Sequence, residues 1–217
     1  MTNAISIENA EAWIPQWHPR LFRLARAVVY SDHEATSVVY AAYLKLLAQL
    51  PSGAGQKDVA RHLQNYVFLG AMRERVLLRG QMLRLLDAAA DADPSVDAGI
   101  DDVSDAQFEG RPAQRVESER PGDAIADALS DMLRVVFVMT DVIGMTIPET
   151  ARMLHLLDAT VESRMQRSRL LVMELLKKLG IRELPEIYAV SEAQCRAAVA
   201  HVRERMASST QRVPVSV

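Results

Sequence analysis

Apolar residues in this sequence return every three or four positions in several separate runs, and this period constrains the fold more than any other feature. It places the apolar side chains on one face of an α-helix. Only 5% of the residues are aromatic, whereas strands favour aromatic and β-branched side chains. The sequence therefore predicts an all-α protein whose helices pack through their apolar faces.

The first block, residues 10–86, has two helical runs up to Leu50 with a break near Ser31 and Asp32. A loop rich in proline and glycine follows over 51–55, and the helical period resumes from Val59 to Leu86. The block carries 10 basic against 5 acidic residues, a balance that suits contact with a polyanion. We expect a small helical domain over 10–86.

Residues 87–122 differ sharply from the blocks on either side. They carry 10 acidic against 3 basic residues, with prolines and glycines scattered among small side chains. Such a composition cannot bury enough apolar surface to offset the entropy of ordering the chain. The sequence predicts a flexible acidic linker here.

A second helical domain is predicted over 123–179, in runs at 125–142, 147–154 and 159–179. Thr146 and Glu149 have the spacing of a capping box at the start of the middle run, and Asp158 is placed to cap the last. The short break before Asp158 makes these two runs a helix-turn-helix. Gly180 ends the domain, and the extension over 180–217 has an amphipathic helix near 191–206, suited to cover another domain or to bind a protein partner.

Several function classes find no support in the residues. The single cysteine excludes an internal disulfide framework and favours a reducing compartment, for which the cytoplasm fits best. No window is long and apolar enough to insert in a membrane, and the first residues lack the features of a signal peptide. The histidines have no metal-ligand spacing, and there is no glycine-rich phosphate loop. We expect neither an enzyme nor a bound metal or cofactor.

Two strings carry a resemblance to a known family. WHPRLFRLARAVV in the first block and DALSDMLRVVFVMTDVIGMTIPETARMLHLLDATVESRMQRSRLLVMELL in the second, on either side of the acidic strip, resemble regions 2 and 4 of extracytoplasmic-function sigma factors. The most specific part is the recognition-helix pattern T-V-x-S-R-x-x-R-x-R, which here is Thr160, Val161, Ser163, Arg164, Arg167 and Arg169.

The resemblance implies core RNA polymerase and promoter DNA as partners. The first domain would dock on the polymerase clamp and read and melt the −10 element, and the second would read the −35 element in the major groove. The guanidinium group of arginine can bind phosphates and guanine edges, and arginines near aromatic rings can bind single-stranded DNA. For the aromatic residues Tyr66 and Phe68, packing in the hydrophobic core is the alternative. The implied −35 contacts are Thr160, Ser163, Arg164, Arg167 and Arg169, the −10 contacts are Tyr66, Phe68, Arg73, Arg75 and Arg79, and the polymerase contacts are Glu34, Ser37 and Tyr40.

The sequence also departs from the family pattern. Glu34 matches the acidic cluster that usually meets the polymerase clamp, but Ser37 and Tyr40 stand where acidic or amide residues are usual, and Glu162 replaces a usual lysine. These changes motivate an alternative, a sigma-like regulatory protein that binds an anti-sigma factor or another protein without productive polymerase binding. A helix-turn-helix repressor is a third reading, although such proteins usually dimerise and do not need the first domain.

Overall fold

The structure, a computed structural model, describes residues 10–49, 56–92 and 120–210, and in the third helix it describes the side chains of 59–77. Helices and short turns make up these residues, with no strand among them, so the predicted all-α fold is confirmed. The helices are α1 (Ala10–Val28), α2 (Asp32–Gln49), α3 (Gln56–Ala92), α4 (Pro121–Asp127), α5 (Asp131–Phe137), α6 (Ile147–Leu154), α7 (Asp158–Leu179) and α8 (Glu192–Thr210).

The first three helices pack against one another as the periodicity predicts. The break between α1 and α2 falls at the predicted place, where the Ser31 hydroxyl accepts a hydrogen bond from the Glu34 backbone N–H at 3.1 Å and so caps α2. Helix α3 continues to Ala92, past the predicted end at Leu86. Its last residues are mostly alanine, the residue with the highest helix propensity.

The run predicted as one helix over 125–142 is instead divided, which corrects that prediction. Helix α4 ends at Asp127, and α5 starts after Ser130, whose backbone is extended with ψ 155°. From Val138 to Val142 the chain forms a π-helical turn, in which Ile143 N donates to Val138 O at 2.8 Å. Apolar periodicity predicts neither the break between α4 and α5 nor the π-helical turn, because buried apolar residues continue across both.

Helix α6 begins with the predicted capping box, which is confirmed: the Thr146 N–H donates to Glu149 Oε2 at 2.9 Å, and the Glu149 N–H donates to Thr146 Oγ1 at 3.4 Å. The predicted cap by Asp158 is wrong. Leu157 occupies the cap position of α7 without a side-chain hydrogen bond, and Asp158 is already helical. Its carboxylate lies in the first turn, at the positive end of the helix dipole, where a negative charge is favourable.

The extension leaves α7 at Gly180, whose left-handed backbone (φ 68°) ends the helix as expected. Helix α8 then turns back and packs on α1 and α2, burying Ala198, Val199 and Val202. The extension thus covers the first domain, one of its two predicted roles. Buried side chains from both predicted domains and from the extension belong to one continuous core.

The predicted acidic linker lies outside the described residues over 93–119, as does the end of the extension over 211–217. The first residues of the predicted linker, 87–92, belong to α3, and its last two residues, 121–122, begin α4. Among the described helices, none has the length and apolar character needed to span a membrane.

Candidate nucleic-acid interface

Four of the five predicted −35 residues share one side of helix α7. Thr160, Ser163, Arg164 and Arg167 are three, four and seven positions apart, which stacks their side chains along the helix. Ser163 and Arg167 are exposed, whereas Thr160 and Arg164 are half-buried. The Nη1 atom of Arg164 is buried and has no hydrogen-bond partner among the described residues. The side chains best placed to reach a ligand from this helix are therefore Ser163 and Arg167.

The fifth residue, Arg169, points elsewhere. Five positions after Arg164 it has turned about 140° around the helix, and its Nε donates to Asp141 Oδ1 at 2.6 Å. Asp141 belongs to the π-helical turn, so this ion pair joins α7 to the end of the preceding helix. Arg169 is partly exposed but already has a carboxylate partner. Glu162 is exposed in the first turns of α7, beside Ser163.

The two aromatic residues predicted to stack on bases occupy different environments. Phe68 is 8% exposed and belongs to the hydrophobic core, so it packs there, which was the predicted alternative to base stacking. Tyr66 is half-buried: its hydroxyl donates to Gln49 Oε1 at 3.0 Å, and Lys45 Nζ lies 4.4 Å from its ring centre. One face of the Tyr66 ring is therefore already covered by a cation.

The arginines predicted to follow these rings also differ from one another. Arg73 is exposed, whereas Arg75 is half-buried and forms an ion pair with Asp131 of α5. The side chain of Arg79 lies outside the described residues. The structure thus does not place the predicted −10 residues on one surface: Arg73 is exposed, and Arg75 joins α3 to the second domain.

The residues predicted to contact polymerase lie along α2. Ser37 is exposed and Glu34 is half-buried. Tyr40 is covered by α8, since its ring stacks on that of His201 with the ring centres 4.4 Å apart and the planes at 25°. One end of this face is therefore occupied by the chain's own extension.

A buried ionic junction, which the sequence patterns do not predict, lies between the two domains. Arg26 of α1 donates to both carboxylate oxygens of Asp127 on α4, at 2.8 and 3.2 Å, and its Nε donates to Asp32 at 3.0 Å. Tyr188 of the extension completes the group: its hydroxyl donates to Asp127 at 2.5 Å, and Arg26 lies 4.7 Å from its ring centre. Burial raises the pKa of Tyr188, and the adjacent Asp127 carboxylate raises it further.

Arg134 of α5 extends this junction. It is almost completely buried, and its Nε donates to the backbone oxygen of Ala27 at 2.9 Å. Its guanidinium also lies 4.3 Å from the ring centre of Tyr30 and bonds Asp131 at 3.1 Å. A sequence signal was present, because a single arginine inside the apolar run LRVVFVM indicates a buried, paired charge.

A substitution at Gly122 tests how tightly the extension packs on α4. A β-carbon at this position would lie 2.2 Å from the backbone oxygen of Glu186, much closer than contact distance. We expect Gly122→Ala to lower the free energy of unfolding by about 1–3 kcal/mol, as overpacking does, measured by urea denaturation. Gly70→Ala is the matched control, because its β-carbon would meet only the Val38 side chain at 3.2 Å. Equal stability of the two variants would contradict the close packing.

Among the described residues, no group of three or more histidine, cysteine, aspartate or glutamate side chains is placed to hold a metal ion. The candidate interface consists of arginine and hydroxyl side chains and a helix N-terminus. This chemistry recognises phosphates and base edges.

Comparison with known proteins agrees with this geometry for the second domain. Residues 123–172 match the family model for region 4 of sigma-70, and this range contains α5, α6 and most of α7. Among solved structures, the chain is similar to the sigma factor RpoE in its co-crystal structure with the anti-sigma factor NepR from Bartonella quintana. That match has 19% sequence identity and a TM-score of 0.48, and covers 78% of this chain and 98% of the other. No curated protein matches the sequence.

The family match falls on the block that carries the recognition-helix pattern. It includes the capped helix α6, the turn, and the exposed residues Ser163 and Arg167 of α7. The resemblance to region 4 recognised from the sequence is confirmed over residues 123–172, which match the sigma-70 region 4 family.

Proposed function

We propose that the chain is a sigma factor that directs RNA polymerase to specific promoters. In this proposal the second domain reads the −35 element through α7, while the first domain binds the polymerase clamp and reads and melts the −10 element. Its partners are core RNA polymerase and promoter DNA, and it performs no catalysis of its own. An anti-sigma factor is a further proposed partner.

The observation that carries the proposal is the match to sigma-70 region 4 on a helix-turn-helix whose second helix presents Ser163 and Arg167 to solvent. Recognition helices of this motif contact base edges with their N-terminal residues. Arg167 lies in the first half of α7, where an arginine fork can bind a guanine edge or two phosphate oxygens.

The test is transcription with core RNA polymerase from the host organism. The protein is mixed with core enzyme, the complex is isolated, and run-off transcription is measured on genomic fragments. A stable complex that starts transcripts at discrete sites only when the protein is present supports the proposal. A stable, folded protein that neither binds core enzyme nor starts transcripts contradicts it.

Glu162→Lys is expected to strengthen DNA binding severalfold at about 0.1 M salt. The substitution removes a negative charge that repels the DNA phosphates and adds a positive charge that can contact one of them. The slope of log affinity against log salt should become steeper by about 0.9, measured by fluorescence anisotropy on a promoter duplex. Glu174→Lys makes the same charge change on an exposed site of α7, about 18 Å further along the axis. If both variants gain affinity equally, the start of α7 does not lie against DNA.

The second candidate is the sigma-like regulatory protein that binds another protein without productive polymerase binding. The coverage of Tyr40 by α8 favours it, because that residue belongs to the proposed polymerase face. Isolation of complexes from a lysate of the host organism, beside the transcription test with core enzyme, separates the two candidates. A complex with core enzyme that starts no transcripts on any fragment, or a stable complex with a different protein and none with core enzyme, would favour the regulatory protein.

A further inference from the structure

The extension crosses the boundary between the two domains before it reaches α8. Ile187 and Tyr188 are buried there, and Arg23 of α1 donates to the Ile187 backbone oxygen at 3.1 Å. Arg23 also forms an ion pair with Glu186. On the other side, Arg120 at the start of α4 donates to the Ala189 backbone oxygen at 3.1 Å. The segment before α8 is therefore bonded to both domains.

Tyr188 is the most constrained residue of this segment. Its backbone is left-handed, with φ 49°, a conformation that costs free energy for a bulky side chain. Its N–H donates to Asp123 Oδ1 at 2.6 Å, and its hydroxyl donates to Asp127 at 2.5 Å. Both carboxylates lie on α4, so these two bonds hold Tyr188 in its unfavourable conformation and fix the extension to the second domain.

Helix α8 is fixed to the first domain by three kinds of contact. Val202 is completely buried against it, and His201 stacks on Tyr40. Arg203 Nη1 lies 2.6 Å from Glu11 Oε1 at the start of α1. An apolar, an aromatic and an ionic contact within three successive residues give α8 one defined position on α1 and α2.

We propose that the segment from Ile181 to Thr210 is an intramolecular clasp that keeps the protein in a closed, inhibited state. It covers the Tyr40 end of the proposed polymerase face and bonds both domains into one body. Release of the clasp uncovers that face and allows the domains to separate. This inference rests on the proposed sigma-factor function.

A second reason for inhibition is that the closed body fixes the distance between the two domains. In the closed body α1 contacts α5 directly, Arg26 bonds Asp127, and Arg75 bonds Asp131. When the clasp and the contacts between the domains open, the domains stay joined through the 27 residues from 93 to 119, which reach at most about 90 Å. Only separated domains can therefore adjust to the spacing of two promoter elements.

The test uses the single cysteine of the full chain as a reporter. Cys195 lies on α8, half-buried, and burial raises the pKa of its thiol. Val202→Asp places a charge in the completely buried contact of α8, and Ala207→Asp adds the same charge on its exposed side. We expect Val202→Asp to raise the rate of Cys195 labelling by a maleimide about tenfold or more, and to lower the Kd for core RNA polymerase by a similar factor. Ala207→Asp should leave both unchanged.

The outcomes separate the clasp from the proposed function. Faster labelling with no tighter binding, in a chain that binds core enzyme, overturns the inhibitory role, and unchanged labelling overturns the clasp itself. If no variant binds core enzyme even when labelling is fast, the sigma-factor function fails and the inhibitory role fails with it. His201→Ala removes only the ring stack on Tyr40 and should raise labelling and core binding in the same direction by a smaller factor. Circular dichroism of each variant verifies that the helices remain folded.

Discussion

Replacing Arg26 by alanine is expected to lower the free energy of unfolding by about 3–5 kcal/mol, because it leaves a buried carboxylate without its main partner. Arg26 is only 3% exposed and bonds both oxygens of Asp127, whose side chain is also buried. The Tyr188 hydroxyl still reaches Asp127 in the variant, and Arg134 Nη1 lies at 3.9 Å. Neither replaces a two-bond guanidinium contact.

Urea denaturation followed by tryptophan fluorescence measures this change. Trp13 and Trp17 both lie on α1, the helix that carries Arg26, and the core is continuous across both domains, so one transition is expected. Arg196→Ala is the matched control: it breaks an ion pair with Glu192 on α8 whose partners are 73% and 93% exposed. Such a pair contributes less than about 0.5 kcal/mol. A loss below about 1 kcal/mol for Arg26→Ala would show that the junction does not stabilise the closed body.

The helices were predictable because each depends on residues close together in the chain. A three-to-four apolar period specifies a helix and its buried face, and Thr146 with Glu149 specifies where α6 begins. The same kind of local pattern indicated which residues of α7 share a side. Exposure of Ser163 and Arg167 follows from that pattern, since Val161 and Ser168 occupy the buried side.

The ionic junction depends on a different kind of information. Arg26 and Asp127 are 101 positions apart. Apolar periodicity predicts which face of a helix is buried, but it does not predict which other helix packs against that face. Helix α1 is covered by α2 and α3, by α5 and by α8, so a polar side chain outside its main apolar stripe is buried as well. The position of the extension contributes to the burial of Arg26. The sequence left two roles open for the extension, which were to cover another domain or to bind a protein partner.

The same limit explains Arg75 and Arg169. Their spacing after aromatic residues or within a recognition helix fits DNA contact, yet each has a carboxylate partner on another element, Asp131 and Asp141. An arginine in a helix pattern is compatible with either partner. Only the folded arrangement of the helices brings these carboxylates within reach of α3 and α7.

The second large effect is expected from pH, through His18. Its ring is buried on α1, its Nδ1 lies 3.1 Å from the Tyr43 hydroxyl, and burial lowers its pKa from 6.5 to about 4. Below pH 6.5 the unfolded chain binds a proton at this residue while the folded chain does not, so the unfolded state gains stability. We expect the free energy of unfolding to fall by about 3 kcal/mol between pH 7 and pH 4 from this residue.

His18→Gln isolates this contribution when urea denaturation is repeated across that pH range. The variant cannot take up the proton, so its stability should change less with acid than that of the wild type, and the difference between the two curves should shrink or change sign toward pH 4. Carboxylates with lowered pKa, such as Glu149 and Asp131, lose stabilisation at lower pH in both proteins and cancel in the difference. His33→Gln, at an exposed histidine on α2, should keep the pH dependence of the wild type. Parallel curves for the wild type and His18→Gln from pH 7 to pH 4 would mean that His18 binds a proton as readily in the folded protein as in the unfolded chain. That result would contradict the prediction that the buried His18 ring stays neutral.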